Sequence, residues 1–270
     1  MKTILLIAVN YRSYDALRLF LESVDSAAAS IRQTMAVDVA IADNTEAAER
    51  QTLSGTFANI RSIEYCPSET NAGYLGGAQP VYNRSAQAYD WVSISNVDLQ
   101  LHPTFFSELL NIRGEQLAWI APDIFTAKIF RHENPYILQR PTRRNFMLWN
   151  IIYSSTLLYR LYHSLYKLKS RHHTPSQHPC RIYAAHGSFM LFTNDFVRRY
   201  PTLQFPSYMY GEEIWLAELI RNANMQVMYA PNLKIANTGN INTGQLRLSQ
   251  KLHWSKTSLN IIAEQFFNHR

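Results

Sequence analysis

Four apolar segments in the first hundred residues each end in a short polar motif. The apolar segments are Thr3–Val9, Val37–Ala42, Ile60–Tyr65 and Trp91–Ser95. The polar motifs that follow them are Asn10-Tyr11, Asp43-Asn44, Asn71-Ala72-Gly73 and Asn96-Val97-Asp98. If the segments are neighbouring parallel strands, all four motifs lie at the carboxyl edge of one sheet, where open α/β folds bind nucleotides and other ligands. The pattern predicts that the first half of the chain binds a nucleotide.

Segments with helical periodicity separate these predicted strands. Tyr14–Ala29 carries apolar side chains at helical spacing, at Leu17, Phe20, Leu21 and Val24. Helices are also expected at Ala78–Tyr89 and after Pro103, and a short exposed helix is expected after Asp43. The alternation of strands and helices predicts an α/β fold, with a mainly parallel sheet flanked by helices and joined by right-handed crossovers.

The second half of the chain has less regular strand signals. Short strands are predicted at Leu117–Ala121, Ala127–Phe130, Ile182–Ala185, Phe189–Phe192, Val227–Ala230 and Leu233–Ala236. Trp254–Phe267 is predicted to form a terminal helix. Because the alternation is interrupted at 134–181, we divide the chain into 1–133, an insertion at 134–181, and 182–270, packed as one domain.

The insertion is rich in Arg, His, Tyr and Leu. One face of a predicted helix carries Leu158, Leu161, Leu165 and Leu168, and another carries Arg160, His163, Lys167 and Arg171. A basic amphipathic helix is typical of contact with an anionic membrane surface. We expect the insertion to bind the acceptor or the inner face of the membrane. A helical hairpin packed on the sheet and an oligomer contact through the tyrosines remain open.

Composition and charge narrow the class of protein. With 47% hydrophobic and 17% charged residues, the chain is predicted to be globular. A formal net charge of +6 suits nucleic acid, anionic membrane or phosphorylated substrates. Nucleic-acid binding is not expected, because the basic residues cluster on one helix without a recognition module. Two distant cysteines and a short apolar N-terminal run predict a cytoplasmic protein, with peripheral attachment to the membrane as a further expectation.

Two carboxylates at predicted strand ends are candidates for contact with a nucleotide. Asp98, beside Asn96, can hold a divalent cation that bridges phosphate oxygens. Asp43 can accept hydrogen bonds from ribose hydroxyls or a base. Each residue could equally end a strand or cap a helix, so these alternatives remain open.

The glycine-rich run 71–77 favours close approach of a ligand or of another backbone. A helix that follows it would offer free N–H groups to a phosphate or a base. The glycine spacing is not that of a dinucleotide fingerprint, and no Gly-Lys-Ser/Thr follows, so the run is not a P-loop.

Glu212 and Glu213 begin a predicted helix directly after Gly211 and an aromatic segment. Paired carboxylates beside apolar surface can provide a general base with a raised pKa. Acidic residues also stabilise helix N-termini through the helix dipole, which is the alternative interpretation.

The order of these motifs resembles that of inverting family 2 glycosyltransferases with the GT-A fold, in the bacterial branch of rhamnosyl- and galactofuranosyltransferase-like enzymes. The resemblance extends from Asn10 through Asp98, and it resumes at Gly187-Ser188 and at Tyr210-Gly211-Glu212-Glu213. It implies a Rossmann-like GT-A domain that transfers a sugar from a UDP- or dTDP-sugar to a glycan or lipid-linked saccharide in surface polysaccharide synthesis. It also implies a requirement for Mg²⁺ or Mn²⁺.

The resemblance implies a role for each candidate residue. Asn10 and Asp43 would contact the nucleoside, and Asn71 and Gly73 would shape the pocket for base and ribose. Asn96 and Asp98 would lie where the metal meets the diphosphate. Gly187 and Ser188 would lie beside the donor sugar and the acceptor. Glu213, with Glu212 before it, would occupy the position of the catalytic carboxylate.

The chain departs from the family pattern at three positions. The first position of the Asp-X-Asp motif is Asn96, and Glu213 replaces the usual Asp. Asn237 lies where relatives often have a metal-binding His, and its amide oxygen is the expected metal ligand. Two other functions are therefore considered: a non-catalytic nucleotide-sugar-binding homologue that supports a partner enzyme, and a nucleotidyltransferase. The latter would need a basic, glycine-rich loop after the first strand, which the sequence lacks.

Overall fold

The computed structural model describes residues 1–169, 176–239 and 247–267, including all side chains of these residues except those of 166–169. The strands are β1 (Lys2–Asn10), β2 (Met35–Asp43), β3 (Ser62–Pro67), β4 (Trp91–Asn96), β5 (Leu99–Leu101), β6 (Leu117–Thr126), β7 (Arg131–His132), β8 (Cys180–Ile182), β9 (Phe189–Thr193) and β10 (Gln226–Asn237). The helices are α1 (Tyr14–Ala28), α2 (Tyr74–Ser85), α3 (Phe105–Asn111), α4 (Arg143–Tyr153), α5 (Thr156–Lys169), α6 (Asn194–Arg199), α7 (Glu212–Asn222) and α8 (Leu248–Phe266).

The strands form one sheet in the order β3-β2-β1-β4-β9-β6-β10-β5, with β7 beside β6 and β8 beside β10. β3, β2, β1 and β4 are mutually parallel, whereas β9 runs antiparallel to both β4 and β6. β10 is parallel to β6 and antiparallel to β5. The predicted α/β sheet flanked by helices is confirmed. Most of the parallel strands come from the first half of the chain. The antiparallel strand β9 lies between β4 of this half and β6 of the rest of the sheet.

The sheet separates two apolar layers. Alternate residues of β1 enter opposite layers, since side chains of a strand point to its two faces in turn. Leu5, Ile7 and Val9 pack with α2, α6 and α7, and Ile4, Leu6 and Ala8 pack with α1 and α3. Because both faces of β1 are covered, Asn10 at its carboxyl end is the point where the strand can present a polar side chain.

Several element boundaries differ from those expected from sequence. Val227–Ala230 and Leu233–Ala236 belong to one strand, β10, whose pairing with β6 shifts register between Ala230 and Lys234. Residues Ala127–Ile129 form a 3₁₀ turn rather than a strand. The short helix expected after Asp43 is also a 3₁₀ turn, Ala47–Glu49. The hydrophobic periodicity and the length of these segments could not distinguish a strand from a helical turn, because runs of three or four residues fit either structure.

The insertion forms two helices, α4 and α5, instead of one. α4 begins with a capping box between Thr142 and Asn145, and it packs against α8. Leu158, Leu161 and Leu165 of α5 are exposed. Of the other residues assigned to the faces of this helix, the side chains of Lys167 and Leu168 and the whole of Arg171 lie outside the described part of the chain. No helix within the described residues has the length and apolarity needed to cross a membrane.

Candidate active site

Asp43 lies at the carboxyl end of β2, directly paired with Asn10 of β1, and it is fully buried. Its Oδ1 accepts hydrogen bonds from Asn10 Nδ2 at 3.1 Å and the Thr45 backbone N–H at 3.0 Å. Its Oδ2 accepts from the hydroxyls of Tyr14 at 2.6 Å and Tyr65 at 2.7 Å. Burial raises the pKa of Asp43, but these donors outweigh it and the net pKa is lowered. The structure therefore shows Asp43 holding protein groups, and its contact with a nucleoside stays a prediction.

The glycine-rich run forms a loop and the start of α2, and two asparagine side chains bond to the backbone of this loop. The Oδ1 of Asn71 accepts the Gly73 N–H at 3.0 Å, and the Nδ2 of Asn44 donates to the Gly73 carbonyl at 2.8 Å. Gly73 has φ +80°, and a Cβ there would lie 2.2 Å from the Tyr208 carbonyl oxygen. A Cβ on Gly77 would lie 2.5 Å from Asn44 Nδ2. Glycine is thus required by close protein contacts at the start of α2, which begins at Tyr74.

Asp98 follows β4 and is 6% exposed. Its Oδ2 is buried without a hydrogen-bond partner in the described residues. Burial raises the pKa of the carboxyl to about 6. The Asp98 carbonyl accepts the Thr238 N–H at 3.0 Å, which holds the end of β10 beside it. Asn237 is therefore adjacent to Asp98, and its Oδ1 accepts the Gly239 N–H at 2.8 Å.

The Asp98 carboxylate has the chemistry of a divalent-cation ligand. A buried oxygen without a partner is costly unless something else satisfies it. Within the described chain no group of three or more His, Cys, Asp or Glu side chains could hold a metal. Mg²⁺ and Mn²⁺ commonly combine one or two protein carboxylates with substrate phosphates, so Asp98 with the neutral Asn237 fits such an ion when a diphosphate is present.

Glu213 lies in the first turn of α7, against the loop that precedes β9. Its Oε1 accepts the Gly187 N–H at 3.3 Å, and a Cβ on Gly187 would lie 2.7 Å from that oxygen. Glu212 beside it is 6% exposed and accepts the Tyr210 N–H at 3.0 Å. Burial, followed by the charge of Glu213, raises the pKa of Glu212 to about 8.

Tyr74 links the end of β4 to the Gly187-Ser188 loop, and we call the site between these two segments the cleft. Its hydroxyl lies 3.0 Å from the Ile94 carbonyl and 3.3 Å from the Ser188 carbonyl. Burial raises the pKa of Tyr74 well above its usual value, and the charges of Glu212, Glu213 and Asp98 add to the effect.

The backbone joins the remaining predicted residues to this cleft. The Asn96 N–H donates to the Ser188 carbonyl at 2.9 Å, which holds the end of β4 against the Gly187-Ser188 loop. Asn96 pairs with Val9 in β1, and Asn10 pairs with Asp43 in β2. Adjacent strands are about 4.8 Å apart, so Asp43 lies roughly 10 Å from the end of β4 along the same edge.

Two aromatic residues of this cleft were not identified from the sequence. The Nδ1 of His186 lies 2.9 Å from Ser188 Oγ, and its ring meets Tyr136 edge-to-face at 5.2 Å. The charge of Glu213, and then burial, raises the pKa of Tyr136. Tyr136 comes from the insertion, where a high tyrosine content was the sole signal. His186 could have been identified from the sequence, since it directly precedes the Gly187-Ser188 motif.

The sequence matches no protein-family model and no curated protein, but the structure is similar to solved structures. Superposition on GalNAc-T7 crystallised with UDP, GalNAc and Mn²⁺ gives a TM-score of 0.60 at 12% identity, covering 98% of this chain and 48% of that protein. Superposition on TarS of S. aureus gives 0.56 at 11% identity, covering 99% and 44%. The chain has a GT-A fold. It spans slightly less than half the length of these two glycosyltransferases.

Proposed function

We propose that this GT-A domain is an inverting glycosyltransferase of family 2. It transfers a sugar from a UDP- or dTDP-sugar to a hydroxyl of a glycan or lipid-linked saccharide, in bacterial surface polysaccharide synthesis. The observation that carries the proposal is the Gly187-Ser188 loop, which links two carboxylate sites. Its Gly187 N–H holds Glu213, and its Ser188 carbonyl accepts the N–H of Asn96, two residues before Asp98 with its unpartnered oxygen. The rhamnosyl- or galactofuranosyltransferase-like branch stays a prediction.

In the proposed reaction, Glu213 is the general base. The acceptor hydroxyl gives its proton to a Glu213 oxygen as the hydroxyl oxygen attacks the anomeric carbon from the face opposite the leaving group. The bond between that carbon and the donor diphosphate oxygen breaks, and its electron pair leaves with the diphosphate. Burial and the charge of Glu213 raise the pKa of Glu212, so we assign it a supporting role beside the base.

Asp98 and Asn237 would hold the Mg²⁺ or Mn²⁺ that the family resemblance implies. Such an ion neutralises the charge that develops on the leaving diphosphate. The free N–H groups at the start of α2 face the same edge of the sheet, where they are suited to bind phosphate oxygens.

The test is release of nucleotide from a panel of UDP- and dTDP-sugars with Mn²⁺ and candidate acceptors. Glu213→Gln should lower the rate of transfer about a hundred- to ten-thousand-fold, because a general base contributes that much. Binding of UDP should be unchanged. Glu264→Gln, on the exposed face of α8, is the matched control and should retain full activity.

The alternative is a nucleotide-sugar-binding homologue without activity. It is favoured by the neutral Asn237 at the metal site and by Glu213 in place of the usual Asp. Measurable UDP binding without release from any donor would support this alternative and contradict the transferase.

We also propose that the insertion attaches the protein to an anionic membrane surface. The hairpin face comprises exposed apolar residues of α4 and α5: Met147, Leu148, Ile151, Leu157, Leu158, Leu161 and Leu165. Their exposures lie between 42% and 73%, and large exposed apolar side chains grouped on two consecutive helices favour an interaction surface. Residues 134–194 contain eight Lys and Arg and no Asp or Glu, so this part carries the whole excess of positive charge. Apolar side chains beside positive charge suit an anionic bilayer.

Sedimentation with phosphatidylglycerol vesicles tests this attachment. The wild type should bind at low salt, and Leu157→Gln should reduce the bound fraction, because Leu157 is 73% exposed on the hairpin face. Leu19→Gln, an exposed apolar residue of α1, should have no effect. Equal binding of the two variants, or no binding by the wild type, would contradict attachment through this face.

A further inference from the structure

A cavity of about 330 Å³ lies at the end of α7 away from Glu213. Its lining combines an apolar floor with three guanidinium groups, and none of its described lining residues is acidic. The floor includes Ile182, Ala217, Ile220 and Val227, and the cationic groups are Arg140, Arg181 and Arg221. We call this the arginine cavity. Three like charges at one concave surface favour an anionic ligand.

Two of the three arginines are fixed in place by Glu218, whose side chain is fully buried. Arg140 binds it with Nε at 2.7 Å and Nη2 at 2.9 Å, and Arg221 Nε lies 3.1 Å away. The Tyr183 hydroxyl donates to the same carboxylate at 2.8 Å. One negative charge is thus shared by two guanidinium groups, and both Glu218 oxygens are fully used. The cavity retains net positive charge and preorganised N–H donors.

Arg181 supplies the third charge from β8. Within the described part of the chain its side chain makes no hydrogen bond or ion pair, and it is exposed. The sequence around it, from 134 to 194, contains no acidic residue. Arg181 is therefore available to a ligand without loss of an internal contact.

The arginine cavity and the active site lie along the same structural elements. On α7, Glu213 and Arg221 are eight residues apart, which corresponds to about 12 Å along the helix axis. A second connection is the pairing of Ile137 with Ala184. Tyr136 and His186 lie on the active-site side of that pairing, and Arg140 and Arg181 lie on the cavity side.

We propose that the arginine cavity binds a phosphate group of the acceptor whose hydroxyl is presented to Glu213. Guanidinium groups bind phosphate oxygens with paired, charge-assisted hydrogen bonds. The apolar floor suits the organic part of a phosphate ester. This inference rests on the proposed function, and it restricts the acceptor to phosphate-bearing saccharides or lipids.

Calorimetric titration of the full chain with octyl phosphate, in EDTA and excess UDP, tests the cavity without sugar transfer. Wild-type protein should bind octyl phosphate, and Arg181→Gln should weaken binding by about tenfold or more, the value of one charge-assisted hydrogen bond. Arg198→Gln, an exposed arginine of α6 outside the cavity, should bind like the wild type. Arg181 lies outside the Glu218 network, so its loss should leave the melting temperature unchanged.

Each outcome decides the proposal. Equal binding by wild type and Arg181→Gln, or no binding of octyl phosphate by the wild type in excess UDP, overturns it. Inorganic phosphate that binds as tightly as octyl phosphate would identify free phosphate as the ligand and overturn the assignment to the acceptor. Because this titration needs no turnover, phosphate can bind here even if Glu213→Gln shows the proposed transferase to be wrong.

Discussion

The backbone N–H of Gly187 donates to Glu213 Oε1 at 3.3 Å, with no room for a side chain between them. A Cβ at this glycine would lie 2.7 Å from the carboxylate oxygen, so Gly187→Ala must displace the proposed base. We expect the turnover number to fall at least about tenfold, because small displacements of a catalytic group are costly. The Michaelis constant for the donor should be unchanged. Steady-state kinetics with varied donor measure both quantities.

Gly114→Ala is the matched control for this variant. Its Cβ would meet only the Leu117 side chain, at 3.5 Å, and it is remote from the cleft. It should leave both constants unchanged. A Gly187→Ala enzyme with wild-type turnover would show that Glu213 is not held in place by this contact, and the assignment of the base would lose its support.

The contact between Gly187 and Glu213 also shows what the sequence could and could not predict. The polar strand ends at Asn10, Asp43 and Asn96 were predictable, because apolar runs of strand length fix where each strand stops. The fourth motif, at Asn71, lies four residues beyond the end of β3 at Pro67. The pairing of Asn10 with Asp43 follows from those limits once the strands are parallel. Gly187 and Glu213 meet only after β9 has entered the sheet antiparallel beside β4, and nothing local in Phe189–Thr193 sets that direction.

The internal role of Asp43 was unpredictable for a similar reason. Its donors Tyr14 and Tyr65 belong to α1 and β3, and their hydroxyls converge only through tertiary packing. The sequence showed a carboxylate at a strand end, which suits a ligand and an internal hydrogen-bond network equally well. Tyr136 was missed because its contact with His186 depends on the distant pairing of Ile137 with Ala184.

Gly73 should be among the most sensitive positions for stability. Its backbone has φ +80° and ψ −172°, a conformation that essentially only glycine adopts, and its Cβ position is occupied by the Tyr208 carbonyl. Gly73→Ala should lower the free energy of unfolding by roughly 2–4 kcal/mol, combining backbone strain with the clash. Urea denaturation followed by circular dichroism measures the change.

Gly76→Ala provides the comparison within the same loop and helix. Gly76 lies in α2 with its nearest neighbour, the Ala72 Cβ, at 3.5 Å, so a methyl group fits. The substitution should raise stability by about 0.5–1 kcal/mol, since glycine is unfavourable inside a helix. Equal effects at the two positions would contradict the close contact with Tyr208.

Asp98→Asn should change stability in opposite directions with and without ligand. In EDTA the variant should melt at a higher temperature than the wild type at pH 8, because it removes a buried charge whose Oδ2 has no partner. In Mn²⁺ and UDP the order should reverse, because the wild-type carboxylate then has a cation to bind. Differential scanning fluorimetry under both conditions measures the two shifts.

Asp195→Asn, at an exposed position in the first turn of α6, controls for loss of a charge alone. It should shift the melting temperature by the same small amount under both conditions. If Mn²⁺ and UDP stabilise Asp98→Asn as strongly as the wild type, Asp98 is not a metal ligand.

Glu212 should make the protein less stable as the pH rises. Below about pH 4.5, the usual pKa of a glutamic acid, the carboxyl is protonated in both folded and unfolded chains and carries no penalty. Between this value and the raised pKa of about 8, the unfolded chain ionises while the folded chain keeps its proton, so stability falls. Above pH 8 the penalty is complete.

Glu212→Gln removes the titration and keeps an oxygen that can accept the Tyr210 N–H. The variant should match the wild type at about pH 4 and exceed it by up to a few kcal/mol at pH 9, at about 1.4 kcal/mol per pKa unit. Urea denaturation across this range measures the difference, and a constant difference at every pH would show that Glu212 titrates normally in the folded protein.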